Sequence, residues 1–547
     1  MKQRKLSFLL FIIPFFILGF GIFNLYFFDP FYSHAPDPEY IYLFSGLNVS
    51  LLEFNRIFHI DNPGATFQVY CGIIMRITHR LAGTDTIAQD VINRPEFYLR
   101  SISFSLIILQ ALLCVIVAWI GKRRGIHFWK LIILQSGVLL CSTMLWVFSR
   151  VNPERWLVVV SLLFIMVYLL YGYKDKHPLK FAIWSGVIMG MGFATKFNFL
   201  PIILLPFLFI NSNKNRLIYA LSGITSFFFF MLPIINKIGY FRDFIVATAT
   251  HDGFYGGGEK RIFDPDKLKE GFQQLFNQSP TLIVFTLVIV ISLILAVIYR
   301  KKYELNRQVL FFSGMLFIIV IQVIMVAKHY KFYYMLPLIT MYPLVLFVFD
   351  EFLQKIGNDK KYTLLPVTLL FIFFTSVTTQ KTYQSFQSEK KNMEQREKGL
   401  QFVSNLPKNT LWFVCDPTWD IAPYLENAIS FGLAYVKWPI YYSAELIKKN
   451  PNIMLYDNSE EMVRLWRGDQ ISIDSIVVTK TPIHLYYSDG RDTEFLIDLL
   501  DKVALKNNVI FSKDTIFSNH SPCSYIIVLQ NNNSQKNWDT KEYFSLK

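Results

Sequence analysis

Long apolar runs interrupted by short clusters of Lys and Arg set the pattern of the first 380 residues. A bilayer demands roughly 20 residues per helix. Runs of about that length fall near 6–28, 97–120, 129–149, 155–172, 180–195, 198–210, 216–235, 280–299, 308–327, 332–349 and 362–379. They predict about eleven spans. The runs 180–195 and 198–210 are short for two spans, and one kinked helix with a re-entrant piece fits them equally. Loop charges test the threading, because cytoplasmic loops collect Lys and Arg. With "KQRK" inside, "GKRRG", "YKDKHPLK", "NSNKNR", "YRKKYELNR" and "QKIGNDKKY" all fall on the cytoplasmic side. The opposite short loops "SRVNPER", "TKF" and "AKHYK" carry fewer cations.

Charge also decides an ambiguity at 64–82. Counting this segment as a span would invert every later loop, and Arg76, His79 and Arg80 suit the bilayer centre poorly. It reads as a helix lying on the outer surface. Parity then puts 29–96, the loop 236–279 and everything after 380 outside. The N-terminal "MKQRK" followed by an apolar run resembles a signal peptide. The run is too long for one and no small-x-small cleavage site follows, so it reads as a retained first span.

Beyond the last span the pattern changes. Residues 380–401 read as a polar helical stalk, and 402–547 as a separate domain. There "NTLWFVCD", "QISIDSIVVT", "NNVIFS" and "SYIIVLQ" have the β-branched and aromatic content of strands. "SAELIKKN" and "TEFLIDLLDKVALKN" have helical periodicity. The expected fold is a polytopic α-helical membrane protein, residues 1–379, carrying a small C-terminal extracytoplasmic α/β domain.

Composition agrees with this threading. Of 547 residues 53% are hydrophobic, with 53 Phe and 29 Tyr, and the mean hydropathy is +0.35. The net charge of +14 sits in loop clusters, not in a basic stripe with stacking aromatics, which argues against nucleic acid as a partner. Among five cysteines, Cys71, Cys114 and Cys141 fall in or near apolar segments and read as small hydrophobes. Cys415 and Cys523 are able to pair if the C-terminal region is extracytoplasmic. Richness in Lys, Asn, Ile and Phe suggests an AT-rich bacterial genome, and hence the plasma (inner) membrane.

No P-loop, dinucleotide-binding glycine pattern, HExxH or GxSxG occurs. The chemistry-bearing residues lie in polar islands, most of them on the outer side. Asp37 and Glu39 stand among prolines in a segment read as extended. A turn there would let one act as a general base while the other orients it, and an ordinary solvated loop also explains them. Asp61-Asn62-Pro63-Gly64 reads as an N-cap with Pro63 at the first helical position. In "SRVNPERW", Arg150, Glu154 and Arg155 are free to pair with one another, to face lipid headgroups, or to grip a phosphate. Lys196 in "FATKFNFLP" is a lone cation among apolar residues at an apparent helix break, a functional candidate unless it snorkels. His251, Asp252 and Tyr255, with nearby glycines, form a polar loop of the kind that closes over a substrate, or a plain surface turn. Lys328, His329 and Lys331 cluster at the outer mouth of a span.

Taken in order, the islands resemble the GT-C superfamily of membrane glycosyltransferases, nearest the protein mannosyltransferase and aminoarabinose transferase branch. "DPEY" matches its acidic motif in the first outer loop, and "NPG" at 62–64 stands where that family often has "HPP". Thr195-Lys196-Phe197 matches a "TKY"-type motif, and Tyr334 through Pro337 a late "Y..LP" span. Asn62 in place of the usual histidine and "DPE" in place of adjacent acids are departures. The resemblance implies an inverting transfer of a sugar from a polyprenyl-phosphate carrier to an acceptor on the outer face: a glycolipid, a protein or a cell-wall polymer. Asp37 would be the base and Glu39 its assistant. Lys196, with Arg155, Lys328 or Lys331, would neutralise the departing phosphate. The loop of His251, Asp252 and Tyr255 would cover the sugar. A divalent cation at Asp37 and Glu39 stays open. The alternative is a membrane transporter or lipid-carrier flippase.

Overall fold

The computed structural model describes residues 9–531 apart from 28–29, 35, 58, 61–62, 141–147, 149, 254–255, 263, 332, 358–359, 405–410, 415–424, 435–452, 458–461, 465–469, 479–482, 489–490 and 521–522. The chain forms two compact units. One comprises Met1–Phe28 and Ser45–Ser385, the other Asp29–Phe44 and Phe386–Lys547.

Among the described residues of the first unit, six helices are long and apolar enough to cross a membrane. They are Pro95–Arg123, Pro153–Asp175, Asn213–Thr250, Pro280–Ile298, Asn306–Lys328 and Leu336–Ile356. Several helices of this unit start in the same way, with Pro at the first turn, where its missing N–H costs nothing. Examples are Pro95, Pro153, Pro178 and Pro280. The Asn152 side chain caps the second of these by accepting from the Arg155 N–H at 3.1 Å. Leu217, Leu221, Ile224 and Phe228 on one helix, and Leu287, Ile291, Ile294 and Ile298 on another, all face outward and are exposed. Apolar surface of that extent is stable against lipid, not against water. The chain is a polytopic α-helical membrane protein.

Helix Pro178–Thr195 packs closely on Asn213–Met231, because glycines line the crossing. A Cβ at Gly190 would stand 2.4 Å from the Gly223 carbonyl oxygen, and one at Gly186 2.6 Å from that of Tyr219. The hydroxyls of Ser222 and Ser226 donate across this seam to the carbonyls of Ile183 and Val187, at 2.6 and 2.7 Å. Elsewhere in this unit Lys130 reaches Asp350 at 2.6 Å and also pairs with Glu351, tying Phe128–Gln135 to Tyr342–Ile356.

Several expectations need correction. Residues 129–149 are not a single helix, since Phe128–Gln135 passes into a 3-10 turn, Ser136–Leu139. Residues 236–279 carry two helices, Ile238–Thr250 and Pro265–Gln278, where a loop was expected. The segment holding Asp37 and Glu39 is helical, Pro36–Ser50, not extended. Its prolines occupy the first turn, where a helix tolerates them. The surface segment is a helix, Ala65–Ala82, but its N-cap is Gly64 at φ +61, with no side-chain cap. Asp61 and Asn62 lie outside the described residues. The run after 198 is a 3-10 helix, Phe197–Leu208, interrupted by Pro201 and Pro206. The last apolar run and the stalk form one continuous helix, Lys360–Ser404.

The second unit contains a mixed sheet of β1 (Leu411–Val414), β2 (Ile453–Asp457), β3 (Met462–Arg464), β4 (Gln470–Ile471), β5 (Ile483–Ser488), β6 (Phe511–His520) and β7 (Cys523–Asn531). The strand order is β4-β3-β2-β1-β5-β7-β6. β1 pairs parallel with β2 and β5, and the flanking pairs are antiparallel. The expected α/β character is present. "QISIDSIVVT" was expected as a strand, yet only Gln470–Ile471 pairs and Ile473–Val477 turns into a helix. That helix packs against Arg491–Lys506, and Asn507 bonds Asp474 at 2.8 Å between them. Helix Leu425–Ala434 lies on the Asp37-bearing segment, since a Cβ at Gly432 would come 2.6 Å from the Tyr40 carbonyl oxygen. Cys415 and residues 443–450 lie outside the described residues.

Candidate active site

Three islands far apart in sequence meet at one buried point. Glu154 stands in the first turn of Pro153–Val167, and Lys196 directly follows the last turn of Pro178–Thr195. Lys196 leaves the helix because its backbone turns extended, at φ −155 and ψ 135. Its ammonium donates to the Glu154 carboxylate, and both side chains are buried. The Tyr333 and Tyr334 rings flank the same ammonium, each centroid 5.1 Å away. An ammonium over aromatic faces is favoured most where water is excluded. The sequence named Glu154 only as a partner for its neighbouring arginines; its partner is Lys196.

Hydrogen bonds fix this centre from two sides. Asn198 and Gln322 both donate to the Tyr334 carbonyl oxygen, at 3.0 and 3.2 Å. The Thr195 hydroxyl sits 2.5 Å from that of Thr66, and the Gly64 N–H donates to the Thr195 carbonyl at 3.0 Å. The N-terminus of Ala65–Ala82 thus docks beside Lys196. Gly64 can do this because it tolerates a left-handed backbone. Gln322 escaped the sequence reading: one amide within an apolar run is a weak signal until its partner is known.

Arg155 is buried but engaged elsewhere. Its guanidinium donates to the Ser103 hydroxyl at 2.7 Å, the Ser103 carbonyl at 3.0 Å and the Arg150 carbonyl at 3.1 Å. Gln110 donates to the Arg155 carbonyl at 3.0 Å, so Arg155 fastens Pro153–Val167 to Pro95–Arg123. Lys328 caps the C-terminal end of Ile238–Thr250, donating to the carbonyls of Thr248 and Ala249 at 2.6 and 3.0 Å. Lys331 is half-buried, with its carbonyl accepting from the Tyr334 N–H at 3.0 Å.

The loop after Thr250 is built around Asp252. This buried carboxylate pairs with Arg261, lies 3.5 Å from Lys267 and accepts from the Glu259 N–H at 3.2 Å. The Gly253 N–H closes the turn on the Gly257 carbonyl at 2.9 Å. The Arg261 hydrogen bond is the main cause holding the Asp252 carboxyl below its ordinary range. Asp252 is therefore an internal tie of the loop. His251 faces Thr250 and the Ala247 carbonyl, at 3.1 and 3.2 Å. Tyr255 lies outside the described residues.

Asp37 and Glu39 belong to the second unit. Glu39 is fully buried. On a helix, positions two apart stand about 200° around the axis and do not share a face. The side chain of Asp37 lies outside the described residues. Among the described residues no group of three or more His, Cys, Asp or Glu side chains is placed to hold a metal.

Fold and site together define a multi-pass helical membrane protein with a buried ion pair walled by tyrosines at its helix ends. No protein-family model matches the chain, and no curated protein does. Among solved structures it is similar to the crystal structure of ArnT from Cupriavidus metallidurans bound to undecaprenyl phosphate. The identity is 9% and the TM-score 0.44, over 94% of this chain and 97% of that one.

Proposed function

We propose that this protein is a membrane glycosyltransferase. It moves a sugar from a polyprenyl-phosphate carrier to an acceptor on the outer face, with inversion and with Asp37 as the base. One observation carries the reading. Glu154, Lys196, Tyr333 and Tyr334, drawn from separate outer-side segments, converge on one buried cation. Departure of a polyprenyl phosphate needs a fixed positive charge in a water-poor setting, where it acts far more strongly than in water. Lys196 supplies it, and Glu154 compensates its charge until the phosphate arrives. Arg155 and Lys328 act in support, by holding the helices that carry Glu154 and the outer loop. The motif order that resembles the GT-C transferases supports the same reading, with Asp37 drawing the proton from the acceptor.

The test compares purified wild type with Asp37→Asn on a panel of polyprenyl-phosphate sugars, following release of polyprenyl phosphate. Turnover that the substitution abolishes without lowering thermal stability is the expected result. Equal turnover in both removes Asp37 from the chemistry. The break between Thr195 and Phe197 favours a second reading, because transporters place binding sites at interrupted helices. Transfer of a fluorescent lipid-linked sugar across proteoliposomes, with no release of polyprenyl phosphate, would decide for it.

A further inference from the structure

Two amides beside Lys196 leave buried oxygens that nothing among the described residues satisfies. Asn198 comes from the 3-10 helix Phe197–Leu208, and Gln322 from within Asn306–Lys328. Each donates an N–H to the Tyr334 carbonyl. A carbonyl only accepts, so this contact sets which way each amide points, and each side-chain oxygen faces away from it. Gln322 is fully buried and Asn198 is 8% exposed. Asn198 Oδ1 and Gln322 Oε1 have no hydrogen-bond partner among the described residues. Buried acceptors are nearly always satisfied, so an orphaned pair at one carbonyl calls for donors from outside the chain. The nearby ammonium of Lys196 is already engaged by Glu154.

The chemistry of these two oxygens sets the chemistry of the group they would bind. Two amide oxygens can only accept, so they do not suit phosphate, whose oxygens accept as well. They suit O–H donors arranged close together, as on a sugar ring. We propose that Asn198 and Gln322 form a subsite for the hydroxyl groups of the sugar on the donor lipid, beside the Lys196 position that receives its phosphate. This rests on the transferase reading and extends it to sugar recognition. The Tyr334 carbonyl registers the two amides, so the same backbone segment sets both the aromatic wall at Lys196 and the acceptor pair.

The experiment is thermal unfolding of the purified full chain with bare polyprenyl phosphate, and with polyprenyl phosphates carrying glucose, mannose, galactose or arabinose. Bare lipid is expected to raise Tm, and at least one sugar to add a further shift. Asn198→Leu and Gln322→Met should remove the added shift while the bare-lipid shift stays, which also shows that the variants are folded. Three results overturn the subsite: no sugar adding to the bare lipid, an added shift unchanged in Asn198→Leu and Gln322→Met, or loss of the bare-lipid shift in those variants. The last would assign the amides to holding Tyr334 alone. A wild type that bare polyprenyl phosphate leaves unshifted instead overturns the transferase reading itself.

Discussion

The ammonium of Lys196 is held by the carboxylate of Glu154 where one helix begins and another ends, with side chains 6% and 4% exposed. Neither group is tolerable there alone. A buried pair gains little over an apolar one, but removing one partner strands a charge and costs about 3–5 kcal/mol. Glu154→Ala and Lys196→Ala should each lower the unfolding midpoint in detergent sharply. The double variant Glu154→Leu/Lys196→Met should recover most of that loss and yet release no polyprenyl phosphate. Full activity in the double variant would remove the pair from the chemistry.

The helix seam gives a steric prediction. A methyl at Gly190 meets the Gly223 carbonyl oxygen at 2.4 Å, so the helices must part. Overpacking of this kind costs about 1–3 kcal/mol. Gly190→Ala should lower the thermal midpoint accordingly, and Gly239→Ala, where nothing lies within 4 Å, should not. Equal midpoints for the two variants would show that the seam yields freely.

Acid sensitivity should arise at Asp90. Burial pushes its carboxyl up, but hydrogen bonds from Tyr98, Arg94 and Thr84 outweigh this and leave it below its ordinary range. Tyr98 and Arg94 each approach within 2.5 Å, and the Arg94 guanidinium also holds the Ala82 carbonyl at 2.9 Å. The cluster thus binds the end of Ala65–Ala82 to the start of Pro95–Arg123. A depressed carboxyl contributes stability above its unfolded pKa of about 3.9. That stability is lost as pH falls through the lower folded value. Asp90→Asn should flatten the acid limb of the midpoint-versus-pH curve, and an unchanged limb would count against this cluster.

Gly258 sits at φ +79, where a Cβ would also come 2.3 Å from the Asp252 carboxylate. Gly258→Ala should open the 251–264 loop by backbone strain and by displacing its central tie. Limited proteolysis should then cut within the loop several-fold faster than in wild type. Asp252→Asn, which removes the Arg261 pair, should accelerate cutting in the same direction.

How far the sequence foretold this structure varied with the kind of signal. Long apolar runs such as 97–120 and 308–327 reappear as Pro95–Arg123 and Asn306–Lys328, because the bilayer makes length and apolarity sufficient. The helix Pro265–Gln278 was missed, since a short amphipathic helix with charges throughout its first two turns reads like a polar loop. Asp37 and Glu39 were misread as extended because two prolines suggest a turn, whereas a helix accepts them in its first turn. For the site, Lys196 stood out as a lone cation, but Glu154 as its partner did not. The two are separated by 42 residues, and only packing brings them together.

The order in which this centre is built has a consequence for biogenesis. Glu154 leaves the ribosome 42 residues before Lys196, so the pair can close as soon as the second helix joins the first. Tyr333, Tyr334 and Gln322 arrive only after more than a hundred further residues have been made. A nascent chain stopped before them carries an ion pair without its aromatic wall. That unfinished surface is one a quality-control protease inspecting membrane segments would be able to distinguish from the completed protein.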